Sequence, residues 1–171
     1  MQREQLVIRR LEEGDSFAEL TTLLHRAYAP LAAAGLRFGA TQQTEDETKQ
    51  RALGGECYVA ELDGVIVGTI TLRSPGPCAI HDRVKLYADP GVYAFEQLGI
   101  EPVHKGRGIG KALMDHVEGR AKALGGARIA CDTSERATQL VEMYVRRGYE
   151  IVDTVQWDET NYRSVVLAKR L

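Results

Sequence analysis

No stretch of this chain is apolar for long enough to cross a bilayer, and its first ten residues, MQREQLVIRR, hold no apolar signal core. A cytoplasmic location is therefore expected, without a membrane partner. Cysteine is scarce too. Cys57, Cys78 and Cys131 are odd in number and widely spaced, which suits neither a disulfide framework nor a metal set, so no metal is expected. Cys57 and Cys131 fall in apolar, strand-like contexts and read as buried thiols in a reducing compartment. An excess of one charge is also missing. With 22 Lys and Arg against 24 Asp and Glu, the formal net charge is −2, and no field favours nucleic acid or an anionic membrane. Repeats, low-complexity tracts and linkers are absent, so residues 1–171 are expected to form a single domain with a sizeable core.

What the chain does have is a basic, glycine-dense loop between an apolar run and an amphipathic helical pattern. An apolar run ends at Ile100, Pro102 closes it, and Lys105-Gly106-Arg107-Gly108-Ile109-Gly110-Lys111 follows. Glycines let backbone N–H groups approach a ligand with no Cβ in the way. The first helical turn offers unpaired donors at the positive dipole end, and Lys105, Arg107 and Lys111 add charge beside them. Such a loop suits phosphate, though a glycine loop also serves simply to turn a strand into a helix. A Walker loop is excluded, because Lys105 stands where its first glycine belongs and Ala112 where Ser or Thr belongs. The dinucleotide fingerprint fails as well, its third glycine falling on Lys111 or Leu113.

The run Lys105 to Gly110 resembles the pyrophosphate loop of the GNAT superfamily of N-acetyltransferases, Q/R-x-x-G-x-G/A, with Lys105 in place of Gln or Arg. That resemblance implies acetyl-CoA as cosubstrate, held by Lys105, Gly106, Arg107, Gly108, Ile109, Gly110 and Lys111. It also implies a central strand that splays from its parallel neighbour, with Leu98 and Ile100 as backbone partners of the pantetheine arm.

The order of elements agrees with this. A strand is predicted over Leu6 to Leu11, then a helix opened by a Ser16/Glu19 capping box and ended at Gly35. A short polar helix covers Glu45 to Leu53. Glu56 to Leu62 and Val65 to Leu72 form a hairpin at Asp63-Gly64. A long irregular insert follows, Arg73 to Gly91, in which His81 and Asp82 are too little for a metal site. In the strand Val92 to Glu101, alternation puts Ala94, Glu96, Leu98 and Ile100 on one face and Tyr93, Phe95, Gln97 and Gly99 on the other. Helix Gly108 to Leu124, strand Ala127 to Asp132, a helix from a Ser134 cap to Arg147, and strands Tyr149 to Trp157 and Arg163 to Leu171 complete the chain. The fold class expected is α/β: a mixed, mostly antiparallel twisted sheet of about seven strands with helices on both faces, the acyl-CoA N-acyltransferase fold. The resemblance thus spans nearly the whole chain.

Acyl transfer from a thioester to an amine requires a proton acceptor, stabilisation of the carbonyl oxygen and a proton donor to the departing sulfur. Tyr144 shares a helix stripe with Leu140, Val141 and Val145, so it faces inward with a hydroxyl needing a partner. Tyr144-x-x-x-Gly148-Tyr149 is similar to the family's Y-x-x-x-G-F/Y ending, which implies Tyr144 as the donor; a core tyrosine bonded to a carbonyl is the alternative. The family often places Asn seven residues earlier, where this chain has Ala137. Glu96 on the central strand is the candidate base, or a structural carboxylate paired with Arg or Lys, with a water chain from Gln97, Tyr93 or a residue of the N-terminal helix as the fallback. An amide near Leu98 or Gly99 would receive the oxyanion, and Gly99 fits a bulge.

Two functions from different classes follow. One is an acetyl-CoA-dependent N-acetyltransferase that works by direct transfer in a ternary complex to a primary amine, on a small molecule or a peptide. The other is a non-catalytic acyl-CoA-binding or sensing module of the same fold. By their places in the resembling fold, Arg37, Phe38, the 73–91 insert, Trp157 and Tyr162 are candidates to line the acceptor site, and a homodimer is compatible with the sequence.

Overall fold

The computed structural model describes residues 4–76 and 83–171. Cys78, His81 and Asp82 of the insert lie outside the described residues. Among the described residues, eleven strands and α-helices run in the order β1 (Leu6–Arg10), α1 (Phe17–Ala33), α2 (Glu45–Leu53), β2 (Glu56–Leu62), β3 (Val65–Arg73), β4 (Val92–Ile100), α3 (Ile109–Ala123), β5 (Arg128–Ser134), α4 (Thr138–Arg146), β6 (Glu150–Val155) and β7 (Ser164–Arg170). The strands form one seven-stranded sheet in the order β1-β2-β3-β4-β5-β7-β6, antiparallel except where β4 meets β5. The mixed, mostly antiparallel sheet with helices on both faces is thus as expected.

Local sequence accounts for most boundaries. Asp63 (φ 48°) and Gly64 (φ 85°) both take the left-handed conformation required by a type I′ turn, joining β2 to β3. Ser16 caps α1 by accepting the Glu19 N–H at 3.2 Å, but the reciprocal half of the expected capping box is not formed. The full box opens α2 instead, where Thr44 accepts from the Glu47 N–H and Glu47 accepts from the Thr44 N–H. Ser134 does not cap α4. It ends β5 and accepts from the Arg136 N–H, and the helix starts only at Thr138.

The main core lies between the sheet and α3 and α4, around Leu113, Val117, Ile129, Tyr149 and Leu167. Leu20 of α1 and Ala52 of α2 cover the other face, against Cys57 and Val59 of β2. Between these layers the central pair β4 and β5 is joined only at its beginning, Val92 to Arg128, Tyr93 to Ile129 and Ala94 to Ala130. Beyond Ala94 the two strands part.

A bulge in β4 follows directly. Thr71 pairs with Glu96 but Thr69 pairs with Gly99, so three steps on β4 face two on β3. The extra residue is Gln97, at φ 55°. This overturns both expectations for the strand. The bulge falls on Gln97 rather than Gly99, and it reverses the alternation. Val92 and Ala94 pack beside Tyr87 and Trp157, whereas Leu98 and Ile100 pack with Ile109 and Leu113 of α3. Glu96 therefore does not share a face with Leu98 and Ile100. Gly99 has a different reason to be glycine, since a Cβ there would stand 3.0 Å from Leu24 Cδ2 and 3.3 Å from Ala27 Cβ of α1. Gly99→Ala should accordingly cost about 1–2 kcal/mol by overpacking, lowering Tm by roughly 2–8 °C in calorimetric unfolding. An unchanged Tm would show that α1 is free to shift.

Candidate functional site

The gap between β4 and β5 opens into a cleft of about 1120 Å³, lined by residues of α1 and α2 on one side and of α3 and α4 on the other. On the side of α3, the glycine loop forms its end. Gly106 (φ 76°) and Gly108 (φ 80°) are both left-handed, a conformation that side chains with a Cβ rarely adopt, and Gly108 stands at the helix N-cap with no side chain of its own. The Lys105 N–H is used within the loop, by Pro102 O at 3.3 Å. The N–H groups of Gly106 to Lys111 find no acceptor among the described residues, and the first bond of α3 is Ala112 N–H to Gly108 O at 3.0 Å. Six consecutive main-chain donors at a helix N-terminus fit a diphosphate.

The basic side chains contribute less than the sequence suggests. Arg107 is ion-paired with Glu4 and lies 2.8 Å from His104 Nδ1, while Lys111 bonds Asp115 at 2.7 Å. Lys105 lines the cleft. Ile109 is buried in the core at 3 % exposure, so only its backbone faces outward, and Ile100 lies beneath Gly110. The Leu98 carbonyl accepts from the Tyr28 hydroxyl at 2.9 Å and keeps a second lone pair.

Tyr144, on α4, packs its ring between Phe95 of β4 and Tyr149, with centroids 6.0 and 5.7 Å away. The end of α4 is fixed by Arg147, ion-paired with Glu118 of α3, which also accepts from the Tyr149 hydroxyl at 3.0 Å. The Tyr144 hydroxyl bonds to no group among the described residues, which removes the carbonyl-bonded core tyrosine as a reading. Yet it is not among the fully enclosed polar atoms, and the residue lines the cleft, so the hydroxyl opens onto it. Burial pushes its pKa well above the ordinary tyrosine value. It therefore stays protonated at neutral pH, as a proton donor must.

The opposite side of the cleft carries the charges. Glu96 accepts from Arg73 at 2.9 Å and lies 3.5 Å from Arg51 Nε. This is the paired carboxylate of the two readings open for Glu96. Arg51 also donates to Gln43 Oε1 at 3.0 Å; Gln43 in turn donates to Thr48 at 2.7 Å and to Gln97 Oε1 at 3.2 Å. A polar chain thus runs from α2 to the bulge.

A second carboxylate, Asp132 of β5, escaped the sequence reading. It sits beside the apolar Ala130 and Cys131, and its partners are distant in the chain. Oδ1 accepts from the Tyr87 hydroxyl at 2.6 Å and Oδ2 from Trp157 Nε1 at 2.8 Å. Both donors are neutral. Burial, the largest influence, raises its pKa above the usual carboxylate value. Among the described residues no cation pairs with it within 4.0 Å.

The four aromatic and basic acceptor candidates Arg37, Phe38, Trp157 and Tyr162 all line the cleft. Phe38 stacks between Tyr28 and Tyr162 at 5.3 and 4.9 Å. Asn161, in the β6–β7 loop, accepts from the Arg37 N–H and donates to Gly35 O, both at 2.8 Å, joining that loop to the one after α1. Among the described residues no cluster of His, Cys, Asp and Glu could hold a metal ion, and no helix is long and apolar enough to cross a membrane.

Comparison with known proteins bears on this geometry. The sequence profile described as the acetyltransferase (GNAT) family matches residues 19–149. The chain is 31% identical over 154 residues to the S-(2-succino)cysteine N-acetyltransferase of Bacillus subtilis (strain 168), spanning 86% of this chain and 83% of that protein. It is 29% identical over 145 residues to the S-alkylcysteine N-acetyltransferase of the same organism, spanning 83% and 78%. Its fold matches a GNAT family acetyltransferase from Elizabethkingia anophelis with acetyl-CoA bound, at TM-score 0.68 and 17% identity over 97% of this chain and 98% of that one.

The cradle yields a test. A Cβ at Gly110 would meet only Ile100, at 3.7 Å, so bulk is tolerated there. Gly110→Asp should nevertheless weaken CoA binding roughly a hundredfold or more, by setting negative charge against the diphosphate at the donors of the helix end. Gly110→Ala should lose far less. Equal affinities by calorimetry would place the diphosphate elsewhere.

Proposed function

Because the chain belongs to the acetyltransferase (GNAT) family, we propose that it moves the acetyl group of acetyl-CoA onto the α-amino group of a small amino acid of the S-substituted cysteine class. The single observation that carries this is the cleft through the sheet, with free main-chain donors and Tyr144 on one side and the Asp132 carboxylate on the other. The cysteine-derivative acceptors named for the two Bacillus relatives support the substrate class.

Each step can be assigned to a residue. The amides of Gly106 to Lys111, with Lys105 beside them, hold the diphosphate, and the parted edge of β4 at Leu98 and Ile100 guides the arm. Bound acetyl-CoA supplies a thioester, whose carbonyl carbon gains a bond to the amine nitrogen as its bond to sulfur breaks. Asp132 receives the proton that the ammonium group must lose before attack. Tyr144 gives its proton to the departing thiolate, the second proton that the nitrogen sheds on becoming an amide leaves to solvent, and solvent reprotonates Tyr144. Glu96, paired with Arg73 and Arg51, serves as a charge anchor on the acceptor side, and the role of base, for which Glu96 is one of the candidates in the sequence, falls to Asp132. Direct transfer needs no acyl-enzyme, and Cys131, whose thiol is buried with its pKa pushed well up, is a poor nucleophile.

Thiol release from acetyl-CoA with a panel of amines and S-substituted cysteines tests the proposal. Tyr144→Phe should lower kcat roughly a hundredfold or more while CoA affinity is kept. No release with any acceptor, despite tight CoA binding, would favour the binding module. The Asp132 pKa is raised, so the acid limb of the rate profile should lie above the ordinary carboxylate range of about 3.9, activity rising with pH as Asp132 deprotonates. Asp132→Asn should remove that limb together with most of the activity; a limb left in place by this variant would assign the base elsewhere.

A further inference from the structure

The charges facing the acceptor side are uneven in a particular way. At β4, two guanidinium groups meet one carboxylate. Arg73 bonds Glu96 at 2.9 Å, and Arg51, one-third exposed, approaches the same oxygen only to 3.5 Å. Gln43 fixes Arg51 through Nη1, and Nη2 makes no hydrogen bond among the described residues. At β5, the Asp132 carboxylate is held by two neutral donors. Arg51 and Asp132 act on one another, since the arginine charge lowers the pKa of Asp132, yet they form no ion pair within 4.0 Å. The strands that carry Glu96 and Asp132 have parted, and the cleft lies between them. Two opposite charges are therefore held apart, each without a full partner, and both line the same cleft.

We propose that Arg51 and Asp132 form a clamp for a zwitterion. Asp132 takes the ammonium group and Arg51 the α-carboxylate, so that the acceptor must be an α-amino acid rather than a simple amine. This rests on the reading of Asp132 given above and extends it to the carboxylate. Arg51 suits the role because a guanidinium fork binds a carboxylate with two parallel bonds and is more weakly hydrated than a lysine ammonium. Arg37 and Arg136 also line the cleft but are exposed, where screening weakens such a contact. The clamp orients the amine as well. With the carboxylate fixed by α2, the nitrogen is directed at the gap through which Tyr144 is reached.

The test compares S-methyl-L-cysteine with 2-(methylthio)ethylamine, which differs by the carboxylate alone. With acetyl-CoA, the wild-type protein should favour the amino acid by roughly 10- to 100-fold in kcat/KM, the worth of one charge-assisted contact. In Arg51→Gln the ratio should fall towards unity, and Arg51→Lys should restore part of it. Equal use of both acceptors by the wild type overturns the clamp and leaves acetyl transfer standing. So does a ratio that collapses in Arg136→Gln but not in Arg51→Gln. If neither compound is acetylated, calorimetry in the presence of CoA decides. Binding of S-methyl-L-cysteine to the wild type but not to Arg51→Gln supports the clamp and removes the transferase reading; no binding to either overturns both.

Discussion

One backbone irregularity governs the site: the extra residue at Gln97 in β4. A strand that kept its register would continue beside β5 and close the sheet. With the bulge, the strand bends and twists away after Ala94, and the side chains beyond it change faces. Leu98 and Ile100 then seat α3, which sets the glycine loop at the end of the gap. Gln97 itself, left-handed and 6 % exposed, is tied to Gln43, which also bonds Thr48 and Arg51. A conformation that L side chains avoid is maintained by a buried polar chain across α2.

Charge is distributed to match that opening. The side of α3 offers main-chain dipoles, the neutral Tyr144 hydroxyl and the single charge of Lys105, with Arg107 and Lys111 occupied by Glu4, His104 and Asp115. The other side offers whole charges. Glu96 would be costly at its depth without Arg73 and Arg51, and the pairing accounts for its presence there. The cleft is therefore polarised, with donors for an anion at one end and both signs of charge at the other.

Much of this was legible in the sequence, for identifiable reasons. Gly106 and Gly108 marked the turn into α3 because only glycine adopts their φ values cheaply, and Asp63-Gly64 marked its hairpin on the same ground. Tyr144 was legible through helical periodicity, which is local. The phase of β4 after Glu96 was not, because a glutamine at φ 55° leaves no mark on an alternating pattern, and the neighbouring Gly99 offered a more obvious but mistaken site for the bulge. Asp132 carries no such mark, because the groups that hold its carboxylate, Tyr87 and Trp157, lie 45 and 25 residues away. Likewise, nothing local to Glu96 tells that Arg73 and Arg51 stand beside it.

Asn161 has a consequence for how the rim of the cleft is held. Through one amide it fastens the loop that follows α1 to the loop between β6 and β7, and both loops border the acceptor end. The rim of the cleft is thus stitched together by segments 124 and 126 residues apart in sequence, so that loosening either loop releases the other.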